Sequence, residues 1–255
     1  MGNSLNSLLF QPPEPTYPND PNLIWLKTRK GQNIPAFFID RKEPITILFS
    51  HGNAEDLGLI LHYFDSVEQD LKCNIFAYDY TGYGHASGEP SEEDIYADIE
   101  ACYWYLRDTL GIPWTNIVLF GRSLGSAATT HLASLTPVRG VILQCPMLSV
   151  FRIGFNARVS LPYDMLKNVD RMPNVEAPVF IIHGDKDEVV PFWHGVDLYN
   201  MCNDKRVEPY WVTGGDHNNL ESVPNSQFWI KISGFLDFLR NSEIREQLKN
   251  QSVKI

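Results

Sequence analysis

Ser123 stands between two glycines in Gly121-Arg122-Ser123-Leu124-Gly125, behind the apolar run Ile117-Val118-Leu119-Phe120 and ahead of Ser126-Ala127-Ala128-Thr129-Thr130. The apolar run reads as a buried strand and the small residues as the start of a helix. A chain turning this sharply from strand to helix strains its corner residue and holds it clear of the sheet, which suits a serine acting as a nucleophile. Glycine on either side lets strand and helix pack closely. A serine hydroxyl is a poor nucleophile near neutral pH. It needs a base to take its proton and a carboxylate to orient that base.

For a serine at such a corner the acid and then the base follow along the chain. Downstream of Ser123 lie His131, His183, His194 and His217. His217 belongs to Thr213-Gly214-Gly215-Asp216-His217-Asn218-Asn219, a glycine-bearing loop behind the strand-like run ending at Val212. Loops at the C-terminal ends of strands gather the chemistry in open α/β sheets, so His217 is the candidate base. His183 ends a strand and His131 lies in the helix after the corner, so both read as structural; His194 faces no obvious partner. The acid should lie in His183-Gly184-Asp185-Lys186-Asp187-Glu188-Val189-Val190-Pro191, where spacing alone leaves Asp185, Asp187 and Glu188 open. Asp185 could instead cap its turn, a common role after glycine. The developing oxyanion needs two N–H donors. One is the backbone N–H of Leu124. The other should come from Ser50-His51-Gly52-Asn53-Ala54, with Asn53 the first candidate and Ala54 the second.

These residues need a frame that brings them together. Strand signals fall at Leu23–Thr28, Ile34–Ile39, Ile45–Ser50, Asn74–Asp79, Ile117–Phe120, Val138–Cys145, Val179–His183 and Val207–Val212. Helix signals fall near Asp56–Gln69, Glu92–Thr109, Ser123–Ser134, Trp193–Met201 and Ser226–Leu248. Ser91 is a good N-cap for the second helix, with Asp94 completing an approximate capping box, and Gly111 and Pro113 stop it. Alternating strands and helices imply βαβ units. The expectation is an α/β-hydrolase fold: a mostly parallel, eight-stranded sheet with helices on both faces. A short Arg29-Lys30-Gly31-Gln32 turn makes the first two strands an antiparallel edge hairpin.

Residues 1–22 are too proline-rich for helix or central strand and read as an extended arm, followed by a single domain over 23–255. The irregular stretch from Met147 to Pro178 is long enough only for a minimal cap of a helix or two, which leaves an open site. Within it Phe151, Phe155 and Val159 recur every four residues. Such a stripe more often packs on the core than lines a substrate wall.

The formal charge of −10 argues against a nucleic-acid partner, since phosphate binding depends on clustered Lys and Arg. No apolar stretch reaches the roughly 18 residues of a membrane span, and Met1-Gly2-Asn3-Ser4 does not open a secretory signal. The four scattered cysteines read as reduced core thiols of an intracellular protein. The seven histidines show no metal-ligand spacing, so no metal site is expected. Gly2 opens a weak myristoylation motif, with Asn6 where Ser or Thr is preferred. One myristoyl chain holds membranes only weakly, and no Lys or Arg precedes Lys27 to assist it. The cytosol is the expected location, with peripheral membrane association through Gly2 as the alternative.

From Pro12 onward the chain resembles the alpha/beta hydrolase domain-containing 17 group of protein depalmitoylases. The resemblance runs through Pro12-Pro13-Glu14-Pro15-Thr16-Tyr17, Leu48-Phe49-Ser50-His51-Gly52-Asn53-Ala54 and Cys73-Asn74-Ile75-Phe76-Ala77-Tyr78-Asp79-Tyr80-Thr81-Gly82-Tyr83-Gly84. It continues in Tyr96-Ala97-Asp98-Ile99, Ile181–Val189 and Gly215-Asp216-His217-Asn218. It implies Ser123 as nucleophile and His217 as base. The group's G-x-x-D-x-x-V pattern falls on Gly184, Asp187 and Val190, which selects Asp187 as the acid. It further implies a long acyl chain in thioester linkage to a protein cysteine as substrate, and no cofactor. Two features depart from the group: Arg122 stands where its elbow resembles Gly-Gln-Ser-Ile-Gly, and Met1–Phe10 lacks its N-terminal cysteine cluster. The expected activity is serine hydrolysis of acyl thioesters or esters, with an acylated protein or a small acyl ester as substrate. The alternatives are a general carboxylesterase, a peptidase resembling prolyl aminopeptidases and, at a further remove, a non-catalytic binding module.

Overall fold

Alternation between two apolar layers shows how the sheet is sandwiched. In β3 (Thr46–Ser50) Leu48 faces one apolar layer while Ile47 and Phe49 face another, and in β5 (Ile117–Arg122) Ile117 and Leu119 oppose Val118 and Phe120. Strands buried on both faces read as continuous apolar runs, and a sheet built of them must be covered on both sides. In this computed structural model, which describes residues 6, 8–65, 71–156, 158–159, 162–204 and 206–252, that is the architecture.

Eight strands form one sheet in the order β1-β2-β4-β3-β5-β6-β7-β8. The others are β1 (Ile24–Lys27), β2 (Asn33–Ile39), β4 (Asn74–Tyr78), β6 (Gly140–Gln144), β7 (Val179–Gly184) and β8 (Tyr210–Val212). The first two form the expected antiparallel hairpin, with Lys27 opposite Asn33 and Gly31 at φ 87° in the turn. β2 is also antiparallel to β4, and every other pairing is parallel. Helices α1 (Leu57–Asp65) and α7 (Phe228–Ser252) cover one face. Helices α2 (Glu92–Trp104), α3 (Gly125–Leu135) and α6 (Trp193–Met201) contribute to the other.

Some boundaries move for physical reasons. The Ser91 hydroxyl accepts the Asp94 N–H at 3.2 Å as the sequence requires, but the helix leaves α geometry at Tyr105 and ends in a π turn, Leu110 N–H to Tyr105 O at 3.0 Å. β8 is shorter than the apolar run because Pro209, with no N–H to donate, interrupts its ladder before Tyr210. The helix after the corner begins at Gly125 because Ser123 has φ 51°, outside helical space.

Among its described residues the cap segment contains two short α-helices, α4 (Val150–Gly154) and α5 (Asn168–Arg171), the second followed by a 3-10 turn at Met172–Asn174. The four-residue apolar repeat does not form a helical face. α4 stops at Gly154, leaving Phe155 67% and Val159 62% exposed, so they do not pack on the core either. Ahead of β1, Phe10 closes a helical turn on Asn6 and is buried, and the proline-rich segment beyond it runs without regular helix or strand. Gly2 lies outside the described residues. Among the described residues no helix is long and apolar enough to cross a membrane. All four cysteines are free and buried.

Candidate active site

The strand order reverses direction between β3 and β5: the chain steps from β3 outward to β4 on one side and later to β5 on the other. Such a switch point opens a crevice at the C-terminal strand ends. Ser50 ends β3 and pairs with Gly121 on β5, so the loop Ser50–Ala54 and the corner at Ser123 are neighbours by register. How close they come is set at Gly125, where any Cβ would collide with the carbonyl oxygens of Ser50 and His51.

Ser123 occupies the left-handed region, a conformation that costs a non-glycine residue of order 1–3 kcal/mol and persists only when its surroundings enforce it. Its N–H donates to Gln144 O at 2.9 Å and its carbonyl accepts from Ser126 at 3.0 Å. The hydroxyl lies 2.9 Å from Nε2 of His217, and Nδ1 of His217 lies 2.8 Å from Oδ2 of Asp187. The structure therefore brings Ser123, His217 and Asp187 into one relay, from the ends of β5, β8 and β7. A proton can pass from the hydroxyl to Nε2 while Nδ1–H stays on the carboxylate.

Asp187 is buried, which pushes its carboxyl up. Hydrogen bonds from His183 and His217, the His217 charge and the Val190 N–H outweigh that, and the carboxyl is held well below the usual carboxylate range. Its Oδ1 accepts the N–H groups of Val189 at 2.9 Å and Val190 at 2.8 Å. His183, read from the sequence as structural, places Nε2 3.2 Å from Asp187 Oδ2. The other candidate acids stand elsewhere: Asp185 accepts the Gly214 N–H at 2.8 Å, capping the neighbouring loop rather than its own turn, and Glu188 is exposed. His131 stacks on Tyr96 and pairs with Glu100, while buried His194 accepts the Leu148 N–H at 3.0 Å.

On the loop after β3, the Tyr80 hydroxyl donates to His51 O at 2.7 Å and Glu55 accepts the Gly52 N–H at 2.6 Å. The Asn53 side chain is held by Leu9 O, Gln11 N–H and the Tyr83 hydroxyl at 2.7, 3.0 and 2.6 Å. Among the described residues, no hydrogen bond occupies the backbone N–H of Asn53 or of Leu124. Both are available to an oxyanion. Ala54 is exposed on the same loop.

Arg122 pairs with the Glu55 carboxylate and donates through Nη2 to Asn218 Oδ1 at 3.1 Å. Burial works against its charge, and Glu55, with Tyr63 and Glu221 nearby, more than offsets this, so its pKa is raised. Nothing in the local sequence pairs Arg122 with Glu55, which lies 67 residues away. Behind the relay, the Cys145 thiol, Asp187 carboxylate and His217 imidazole lie within 4.8 Å of one another. Burial pushes the Cys145 thiol up, so it keeps its proton and is a poor metal ligand near neutral pH. An open cleft of 480 Å³ beside His217 is lined by Lys186, Glu188, Val189, Gly214, Asp216 and Asn218. A larger hollow of 610 Å³ at the opposite end of the sheet, among Trp114, Leu135, Val138 and Pro178, includes no site residue.

Residues 45–164 match the alpha/beta hydrolase fold family, and residues 149–242 match the prolyl oligopeptidase family. Over 199 residues the chain is 42% identical to alpha/beta hydrolase domain-containing protein 17C of Xenopus tropicalis, covering 76% of this chain and 64% of that protein. It is 41% identical to the human 17B protein over 76% of this chain and 68% of that protein. This chain belongs to the alpha/beta hydrolase domain-containing 17 family. It spans less than two thirds of the length of the Xenopus relative. Like other α/β-hydrolases, this family member shares its fold with solved esterases. An esterase of Pyrococcus furiosus superposes with a TM-score of 0.73 at 17% identity, over 89% of this chain and 97% of that one. The Butyrivibrio proteoclasticus protein Est1E, solved with ferulic acid bound, superposes at 0.67 and 16% identity over 85% and 99%.

Proposed function

We propose that this α/β-hydrolase cleaves acyl thioesters or esters through a covalent acyl-enzyme. The observation that carries the reading is the Ser123–His217–Asp187 relay, with contacts of 2.9 and 2.8 Å at the sheet's switch point. Ser123 Oγ attacks the acyl carbon as His217 Nε2 takes its proton. Asp187 holds the imidazole in the tautomer that leaves Nε2 free to accept, then stabilises the imidazolium. The oxyanion is received by the N–H groups of Asn53 and Leu124; losing one such donor typically costs about 10²–10³ in rate. The imidazolium then protonates the departing thiolate or alkoxide. A water activated by the same histidine releases the acid and restores Ser123. No step calls on a metal or cofactor.

Within this chemistry the reading favoured is an acyl-protein thioesterase. Family membership supports it, and so does the short cap, which leaves room for a protein-borne acyl group. Phe155 and Val159 are exposed apolar side chains on that cap, available to an acyl chain. The match of residues 149–242 to the prolyl oligopeptidase family supports a second reading, a serine peptidase. A turnover screen across p-nitrophenyl esters, acyl thioesters and aminoacyl amides separates them. The thioesterase reading expects kcat/KM to rise with acyl length, by at most about 0.8 kcal/mol per buried methylene. Replacing Phe155 with Asp should flatten that rise and spare acetate esters. A flat profile in the native enzyme supports a general esterase, and preference for aminoacyl amides supports the peptidase.

A further inference from the structure

Arg122 is adjacent in sequence to Ser123, yet among the described residues its guanidinium bonds to Glu55 and Asn218 rather than to Ser123, His217 or Asp187. It spans instead the two loops that complete the site. On one side its Nη1 pairs with Glu55 Oε1, while Oε2 of the same carboxylate accepts the Gly52 N–H at 2.6 Å. The Gly52–Asn53 peptide follows directly, and it carries the N–H offered to the oxyanion. On the other side, Nη2 donates to Asn218, the residue after His217, at 3.1 Å. Asn218 is itself fixed through its N–H to Asp216 Oδ1 at 2.7 Å. One planar group thus touches the loop after β3 and the loop after β8 from the end of β5.

We infer that Arg122 is a positioning residue: with Glu55 it forms a brace that holds the oxyanion donor of the β3 loop and the His217 loop at a fixed separation about Ser123. The inference rests on the hydrolase reading given above. Guanidinium suits the task because its donors are fixed in a rigid plane, whereas an ammonium is a single point charge on a flexible stem. The pair is shielded, with side-chain exposures of 13% for Arg122 and 18% for Glu55, so it is less weakened by solvent and salt than a surface ion pair. Its geometry matters because oxyanion donors work only at about 2.7–3.1 Å from where the charge develops, and a misplacement near 1 Å can cost on the order of 10²-fold. Two of its donors are engaged by protein groups, one on each loop.

The test compares Arg122→Gln, Arg122→Lys, Glu55→Gln and the Arg122→Gln/Glu55→Gln double variant in the full chain. The substrate is a p-nitrophenyl ester, read at a temperature where circular dichroism shows each variant folded. The brace predicts that Arg122→Gln lowers kcat by about 10–100-fold with KM within about threefold, because the loss is one of transition-state geometry. Arg122→Lys should recover part of the loss by pairing with Glu55. The double variant should be no slower than the worse single, since both remove one device. Wild-type kcat in Arg122→Gln and Glu55→Gln overturns the brace and leaves the hydrolase reading standing. Multiplicative losses in the double variant, or a loss confined to KM and to acidic substrates, also overturn it. A native enzyme that turns over no ester or thioester removes both.

Discussion

Asp185 and Asp187 stand two residues apart in one loop, and their surroundings give them different work. Asp187 is buried, collects the N–H groups of Val189 and Val190, and faces both His183 and His217. Asp185 is exposed and caps Gly214. Asp187→Asn should therefore lower ester turnover by about 10⁴, because an amide neither selects the imidazole tautomer nor stabilises imidazolium. Asp185→Asn keeps an oxygen for the Gly214 N–H and should cost less than about tenfold. Steady-state kinetics on the two variants decide the matter, and the reverse order would exclude Asp187 as the acid. At this scale the sequence was readable where the signal is local. The corner at Ser123 and the glycine-bearing loop at His217 each carry their own context. The choice among three acids was not local, because it depends on which carboxylate the fold turns towards His183 and the Val190 N–H; the family resemblance, not spacing, selected Asp187. The partner of Arg122 was hidden for the same reason.

The elements around the loop after β3 act as its walls. The segment ahead of β1 lies along the loop after β3: Asn53 is bonded to Leu9 and Gln11, Thr16 N–H donates to Asp56 at 2.6 Å, and Tyr17 bonds to Asp79. Asp79 in turn accepts the Leu57 N–H at 2.8 Å where α1 begins. This packing predicts that Thr16→Val, which preserves shape but removes the hydroxyl bonded to the buried Asp56, loosens the loop by about 1–3 kcal/mol. Amide hydrogen exchange across residues 51–57 should quicken and kcat should fall. Unchanged exchange and unchanged kcat would show that the segment merely covers the loop. Element boundaries were legible where continuous apolar runs cross the buried sheet, as in β3, β4 and β7. They slipped where backbone chemistry overrides pattern: Pro209 shortens β8, the π turn alters the end of the helix at Glu92–Thr109, and Ser123 is excluded from α3 by its own φ. The Phe151–Val159 repeat misled because periodicity has no meaning once the helix has ended at Gly154.

Across the whole molecule, one sheet collects residues 53, 123, 124, 187 and 217 at the C-terminal ends of its strands. Continuous apolar runs announced a sheet covered on both faces, and the short Arg29–Gln32 turn announced the edge hairpin. The order β4-β3-β5, which makes the crevice, was not written in any one segment; it follows from how the crossovers pack. We propose that this crevice turns Ser123 into a nucleophile. A fluorophosphonate probe reads that directly, since it bonds only to a hydroxyl activated by a neighbouring base. Mass spectrometry of the labelled, digested protein should find one adduct per chain on the peptide holding Ser123, none after Ser123→Ala, and ester turnover lost in parallel by at least about 10⁴. Full turnover in Ser123→Ala, or an adduct on any other residue, would contradict Ser123 as the nucleophile.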